Sequence, residues 1–295
     1  MSSIPFILFD YEEVPVDLYA TIAGIQVGDN YPVRLMGIVN VSPESFFQGS
    51  VPSSMDGLRR MAEQMAAEGA DILDVGARGT APYLETAISV EEEIDRLAPA
   101  IQAVREVTDK PISADTQIAR VAQEALKAGA SILNDVSGLA HDPAIASVAA
   151  AYQGVILMAN ADYTSATGDP VPVVKAALEA ALQRLILTNI APEKVVLDPG
   201  IGFFRNSAIP WDQWDRIVLQ QLHEFRSFGR PLLLSVSRKS FIGKILGHAD
   251  PADRLYGSLG VTSIAVYKGT HIIRTHDVAS TRDVIRMSEW LKNPG

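Results

Sequence analysis

The chain contains no cysteine. Disulfides and thiolate metal sites are therefore excluded, and any metal must be held by oxygen or nitrogen. Positive charge is also scarce. Lys and Arg number 25 against 35 Asp and Glu, leaving a net charge of −10. A surface so acidic disfavours nucleic acid or an anionic membrane as a partner. No apolar run approaches the roughly 20 residues that span a bilayer. The start, MSSIPFILFDYEEVP, lacks the basic residues and small-residue cleavage site of a secretory signal. The expectation is a cytoplasmic protein. Histidine is sparse, and His141, His223 and His248 read as surface positions without metal-ligand spacing to one another.

What the chain has in quantity is apolar sequence, 47% of residues, enough for a sizeable core. It comes in short runs, each followed by a longer helical pattern. Strands are expected at Val33–Asn40, Asp71–Gly76, Pro111–Asp115, Ser131–Asp135, Gly154–Met158, Lys194–Asp198, Pro231–Ser235 and His271–Thr275. Helical patterns between them include Met55–Glu68, Val90–Val107, Ile118–Ala128, Val171–Leu187, Trp211–Phe228 and Ala252–Tyr267. Such alternation implies parallel strands joined by crossovers. Eight units in this length match a single-domain α/β fold, a (β/α)8 TIM barrel, over residues 33–295. Residues 1–32 form a short N-terminal extension, expected to make a hairpin over the barrel floor.

In such a barrel the chemistry sits at the C-terminal ends of the strands. Polar residues gather there in seven of the eight expected strands. One Asp at a strand end is most simply a helix cap. Capping alone does not account for so many, so these side chains are expected to share one crevice. Asp74, Asp115, Asn134 and Asp198 offer hydrogen-bond acceptors, a set suited to a flat heterocycle with an N–H-rich edge. Arg238, Lys239, Arg274 and His276, after strands seven and eight, offer cationic donors in the usual phosphate corner of barrels. Gly200-Ile-Gly202 allows close approach of backbone to a ligand. Position and chemistry thus imply a heterocycle end and a diphosphate end, but not a reaction.

Several segments resemble the signatures of the dihydropteroate synthase family. MGIVNVSPESFFQGS (Met36–Ser50) is similar to the first and GADILDVGARGTAP (Gly69–Pro82) to the second. ISADT (Ile112–Thr116), ASILNDVSG (Ala130–Gly138), LDPGIGF (Leu197–Phe203), SVSRKSFIGKILG (Ser235–Gly247) and HIIRTHDVA (His271–Ala279) follow in the family order. The resemblance covers nearly all of the chain after residue 33. It implies a barrel enzyme that joins 6-hydroxymethyl-7,8-dihydropterin diphosphate to p-aminobenzoate, releasing diphosphate. It further implies that Asp115, Asn134, Asp198 and Lys239 hold the pterin, with Asp74 nearby and Met158 over the ring face. Arg274 and His276 would hold the diphosphate, Asn40 would bind diphosphate and Mg2+, and Asp115 would steady the developing cation. Phe203 and Lys239 would flank the aminobenzoate, Ser240 would meet its carboxylate, and Thr80 would line the second loop. Partners would be a pterin diphosphate, an arylamine and a second copy of the chain.

Two loops depart from the family pattern. The second usually reads Asp-Val-Gly-Gly-Glu-Ser-Thr-Arg-Pro. Here Arg78 stands at the Glu position and Ala81 at the Arg position. Arg78 either takes over an anion contact or is a surface charge. The fifth, usually Met-His-Met-Gln-Gly, reads Leu157-Met-Ala-Asn-Ala-Asp162-Tyr. The wording Val-Ser-Pro-Glu-Ser and the N-terminal extension resemble archaeal members. Alternatives are the same condensation with a ribosylated aminobenzene phosphate, and a pterin-dependent methyltransferase. Trp211, Trp214 and Trp290 read as packing residues, and Glu91–Asp95 as a solvated helix face.

Overall fold

Eight parallel strands follow one another around a single sheet. They are β3 (Arg34–Asn40), β4 (Ile72–Gly76), β5 (Ile112–Asp115), β6 (Ile132–Asp135), β7 (Gly154–Met158), β8 (Val195–Asp198), β9 (Leu233–Ser235) and β10 (Ile272–Thr275). Their order is β8-β7-β6-β5-β4-β3-β10-β9. The ends of this sheet meet through a parallel bridge between Leu197 and Leu232, where Leu197 N–H donates to the Pro231 carbonyl at 3.0 Å. The sheet is therefore a barrel, as the alternation predicts. The structure, a computed structural model, describes residues 17–42, 51–79, 88–160, 168–186, 188, 190–205 and 207–292.

The crossovers carry α1 (Met55–Glu68), α2 (Val90–Arg105), α3 (Ala119–Ala128), α4 (Ile145–Ala149), α5 (Pro170–Ile186), α6 (Trp211–Gln220), α7 (Ser240–Leu246) and α8 (Leu255–Tyr267); α9 (Val278–Lys292) follows β10. Serine hydroxyls start the first two: Ser54 accepts from Gly57 N–H and Ser89 from Glu92 N–H, each at 3.1 Å. The expected helix Trp211–Phe228 is two pieces. It stops at Gln220, and Leu222–Phe228 winds as a 3-10 helix. Leu222, Phe225 and Phe228 recur every third residue, so the tighter winding turns all three toward the core.

Successive strand residues point to opposite faces. Leu35, Leu73, Leu133, Val155, Leu197 and Ile273 face outward and join the helices in the larger core. Met36, Ile72, Ile132, Ile156, Val196, Leu233 and Ile272 face inward and fill the bottom of the barrel. A hairpin of β1 (Tyr19–Ile22) and β2 (Ile25–Gly28) adds Ala20, Ile22 and Val27 to that inner layer. Strand β7 opens with Gly154 because the hairpin comes so close: a Cβ there would lie 2.5 Å from Ile22 Cβ.

Polar contacts fix the hairpin to the floor. Asp29, just after β2, receives both terminal nitrogens of Arg226 at 2.8 Å. Its carboxylate also accepts Leu18 N–H at 2.8 Å and lies 3.2 Å from His271 Nε2. His271 Nδ1 accepts Leu232 N–H, so the imidazole proton sits on Nε2 and points at Asp29. Burial works to raise the Asp29 pKa, but the bonds from His271 and Arg226 overcome it and hold the carboxyl below its usual range. A depressed pKa stabilises the fold above the unfolded-state value, about 3.9, and the contribution disappears as pH falls. Asp29→Ala is expected to cost about 1–3 kcal/mol in urea unfolding at pH 7. The difference from the parent should shrink as pH falls below about 4; an equal difference at both pH values would refute this account.

Candidate active site

Two residues above the apolar inner layer, the inward positions turn polar. Ile72 is followed by Asp74, Ile132 by Asn134, Val196 by Asp198, Leu233 by Ser235 and Ile272 by Arg274. On β3, Met36 leads through Ile38 to Asn40, and on β5 Ser113 leads to Asp115. Only β7 stays apolar, with Met158. The period-two geometry of a strand thus stacks a polar layer on a dry one. Above it opens a cavity, about 870 Å3 with the solvent at its mouth included, whose lining includes Asn40, Arg78, Asp115, Asn134, Met158, Asp198, Phe203, Ser237, Lys239, Arg274 and His276.

Arg274 organises the polar layer. Its Nε donates to Asp74 Oδ2 at 2.6 Å and its Nη2 to Asp115 Oδ2 at 2.9 Å. Asn134 Nδ2 reaches the same Asp74 oxygen at 3.2 Å. Asp74 is fully buried and absent from the cavity wall, so it acts through Arg274 and Asn134. Asp115 does line the cavity, and its Oδ1 has no hydrogen-bond partner among the described residues. Burial, then the Asp74 charge, push the Asp115 pKa up, against the pull of Arg274.

The opposite wall comes from the loops after β8 and β9. Asp198 Oδ1 accepts Gly200 N–H at 2.8 Å. Gly200 has φ +72° and a Cβ there would lie 2.0 Å from the Ala159 carbonyl oxygen, so only glycine makes this turn. The turn carries Phe203 to the cavity, where Lys239 Nζ stands 4.6 Å from the ring centre. Burial pushes the Asp198 carboxyl up to about 6, opposed by the Gly200 bond and Lys239. Burial lowers Lys239 to about 8, opposed by Asp198 and Asp215.

The corner between β9 and β10 is rich in donors. His276 Nδ1 lies 2.9 Å from Ser237 Oγ, which also accepts His276 N–H at 3.2 Å. Burial, with Arg274, Arg238 and Lys239 nearby, lowers the His276 pKa to about 3. The sequence suggests a cation here; in the protein by itself His276 is neutral and offers a hydrogen bond instead. Arg238 also departs from expectation. It has φ +55°, binds the Asp277 carboxylate through Nε and Nη2 at 2.9 and 2.7 Å, and gives Nη1 to the Pro251 and Ala252 carbonyls. These contacts hold it in the scaffold outside the cavity lining.

Arg78 is no surface charge. Its Nε donates to Glu93 Oε2 at 2.8 Å, and the other Glu93 oxygen accepts Thr116 Oγ1 at 2.6 Å. Glu93 is buried, so the run Glu91–Asp95 is not wholly a solvated face. Ser240 does not line the cavity; its Oγ receives Arg205 Nη2. Thr80 lies outside the described residues, as do Ala81 and Asp162. Trp214 is buried and stacks on Phe204 at 5.0 Å, as expected of a packing residue. Trp211 also packs against the core and lies under the Arg205 guanidinium at 4.2 Å, whereas Trp290 is 72% exposed. Ser237, Arg205 and Glu93 are the contributors that local pattern does not single out. A buried Glu opposite an Arg on another element leaves no periodic signal.

With this geometry in hand, comparison with known proteins is direct. Residues 36–276 match the model of the pterin binding enzyme family. The dihydropteroate synthase of Synechocystis sp. is 36% identical over 264 residues, spanning 87% of this chain and 89% of that one. The structure of a dihydropteroate synthase from Coxiella burnetii in complex with pteroic acid superposes with a TM-score of 0.82 at 34% identity, covering 94% of this chain and 99% of that one. That of Xanthomonas albilineans with 4-aminobenzoic acid gives 0.83 at 31% identity, covering 95% and 100%. The chain belongs to the pterin-binding enzyme family, among the dihydropteroate synthases.

Proposed function

We propose that the protein condenses 6-hydroxymethyl-7,8-dihydropterin diphosphate with p-aminobenzoate, giving 7,8-dihydropteroate, diphosphate and a proton. One observation carries this reading at the level of the site. A single cavity joins an acceptor wall (Asp115, Asn134, Asp198) to a donor corner (Asn40, Ser237, Arg274, His276). The first suits the N–H edge of a pterin ring, whose donors such oxygens accept. The second suits a departing diphosphate.

The chain's residues then divide the work. Asp115, Asn134 and Asp198 orient the ring, and Met158 covers one face of it. Lys239 and Phe203 form the wall shared with the arylamine. The C–O bond to diphosphate breaks, the electron-rich dihydropterin bears the positive charge on the methylene, and Asp115 steadies it electrostatically. Arg274 and His276 hydrogen-bond the departing oxygens. The aniline nitrogen attacks the methylene and sheds its proton; positioning matters more than a strong base. No group of three His, Asp or Glu poised for a metal occurs among the described residues. With few protein ligands at hand, Mg2+ would enter as an ion carried by the diphosphate, and Asn40 would be the residue to help hold it. Asn40 lines that corner, and its Oδ1, which accepts Ser42 N–H at 3.1 Å, is an oxygen of the kind such an ion takes. Bound there, Mg2+ would neutralise charge on the leaving group.

The protein acts as a homodimer. Helix α8 exposes Tyr256, Ile264 and Tyr267 at helical spacing, and α9 exposes Met287, Trp290 and Leu291. These helices pack on each other, with Ser263 and Ser288 hydroxyls 2.9 Å apart. An apolar surface of this kind calls for a cover. Trp290→Glu is expected to convert a dimer to a monomer in size-exclusion chromatography with light scattering. A parent that elutes as a monomer would remove the proposal.

Diphosphate release from the pterin diphosphate with p-aminobenzoate tests the activity, and no release would overturn it. A ribosylated aminobenzene phosphate is the control acceptor and is expected to turn over more slowly. Arg274→Ala should lower kcat by about a hundredfold or more. It should also cost roughly 3–5 kcal/mol of stability, because Asp74 and Asp115 keep their burial without their cation. Arg274→Ala with parental turnover would refute the role of that corner. In kcat/KM, activity should fall as pH drops through about 6, where Asp198 gains its proton. It should fall again as pH rises through about 8, where Lys239 loses its charge. A profile flat from pH 5 to pH 9 would contradict both assignments.

A further inference from the structure

The acceptor side of the cavity is held in shape by one peptide gripped at both ends. Gly202, at φ +86°, donates its N–H to Asp215 Oδ1 at 2.8 Å. Its carbonyl accepts Arg205 Nε at 3.0 Å. Asp215 comes from α6 and is 1% exposed. Arg205 does more than close a local turn. Its Nη2 donates to Ser240 Oγ, the residue after Lys239, and its guanidinium lies 4.2 Å above the Trp211 ring. One planar fork thus ties the loop after β8 to the start of α7. Phe203, the residue after the gripped Gly202, is thereby set against Lys239.

The bond also decides what Ser240 can offer. A hydroxyl has one proton and two acceptor positions. With an acceptor position taken by Arg205, the proton is left to be donated elsewhere. Phe203 and Lys239 stand in direct contact on the cavity wall, and Ser240 lies behind them, outside the lining. Arg205 itself is absent from the cavity lining.

We infer that Arg205, with Asp215 as its counterpart on Gly202, is a positioning residue that holds Phe203 against Lys239 and so fixes the arylamine side of the cavity. The inference rests on the reading of Phe203, Lys239 and Ser240 as the acceptor side. Lysine at 205 keeps the charge but not the two-pronged geometry. Asparagine at 215 keeps an oxygen for the Gly202 N–H, whereas alanine does not.

The experiment compares Arg205→Ala, Arg205→Lys, Asp215→Asn and Asp215→Ala with the parent in steady-state kinetics. Arg205→Ala is expected to raise KM for p-aminobenzoate about tenfold while KM for the pterin diphosphate stays within about twofold. Arg205→Lys should recover part of the loss, and Asp215→Asn should raise acceptor KM less than Asp215→Ala. An equal rise in both KM values, or no rise, would overturn the inference. Amide hydrogen exchange reads the clamp without turnover. Exchange over Gly202–Phe203 should quicken in Arg205→Ala, with the floor strands unchanged. Parental exchange there would also overturn it. A parent that releases no diphosphate would count against the proposed reaction instead, and exchange would still decide the clamp.

Discussion

The upper half of the barrel depends on one guanidinium. Arg274 bridges Asp74 on β4 and Asp115 on β5 from its own place on β10. None of these groups could be buried alone: an isolated charge in such surroundings costs several kcal/mol. Together they can, because each bond that satisfies one charge satisfies another. Two further positions follow from this. Asn134 is oriented by its bond to Asp74, and one oxygen of Asp115 is fixed by Arg274, which sets the carboxylate at the cavity wall. The wall proposed for the pterin is therefore a by-product of keeping Arg274 in place.

A second balance operates across the cavity. Burial raises Asp198 and lowers Lys239, so the two approach each other around neutrality. Each charge is held by its neighbour rather than by water. The same dry surroundings keep His276 neutral beside three cations. A neutral donor near Arg274 spares the corner a further like charge, yet remains able to hydrogen-bond an anion. Preorganised donors of this kind pay their desolvation in folding, before substrate arrives.

Much of this was legible in the sequence, and for a definite reason. Strand ends such as Asn134-Asp135 and Asp198-Pro-Gly carry their information locally: alternation gives the face, and position gives the height in the barrel. That is why the eight strands and most of the cavity residues could be read directly. What could not be read depends on a partner far along the chain. Arg238 and Lys239 are adjacent and equally basic, but only the tertiary fold puts Asp277 against the first and Phe203 against the second. Glu93 looks like its solvated neighbours until Arg78 arrives from the loop after β4. The change of winding at Gln221 is set by what Leu222 and Phe225 must reach, not by propensity.

The floor hairpin has a consequence for how such a protein can change. Its contacts with the barrel, from Ile22 above Gly154 to Asp29 against Arg226, lie at the end of the strands away from the cavity. A domain that secures its fold at one end and does its chemistry at the other separates two requirements that usually conflict. Losses of stability incurred while loops are altered for a new acceptor can be offset at the floor without touching a substrate. The short extension before the first barrel strand is thus a reserve of mutational tolerance for the opposite face.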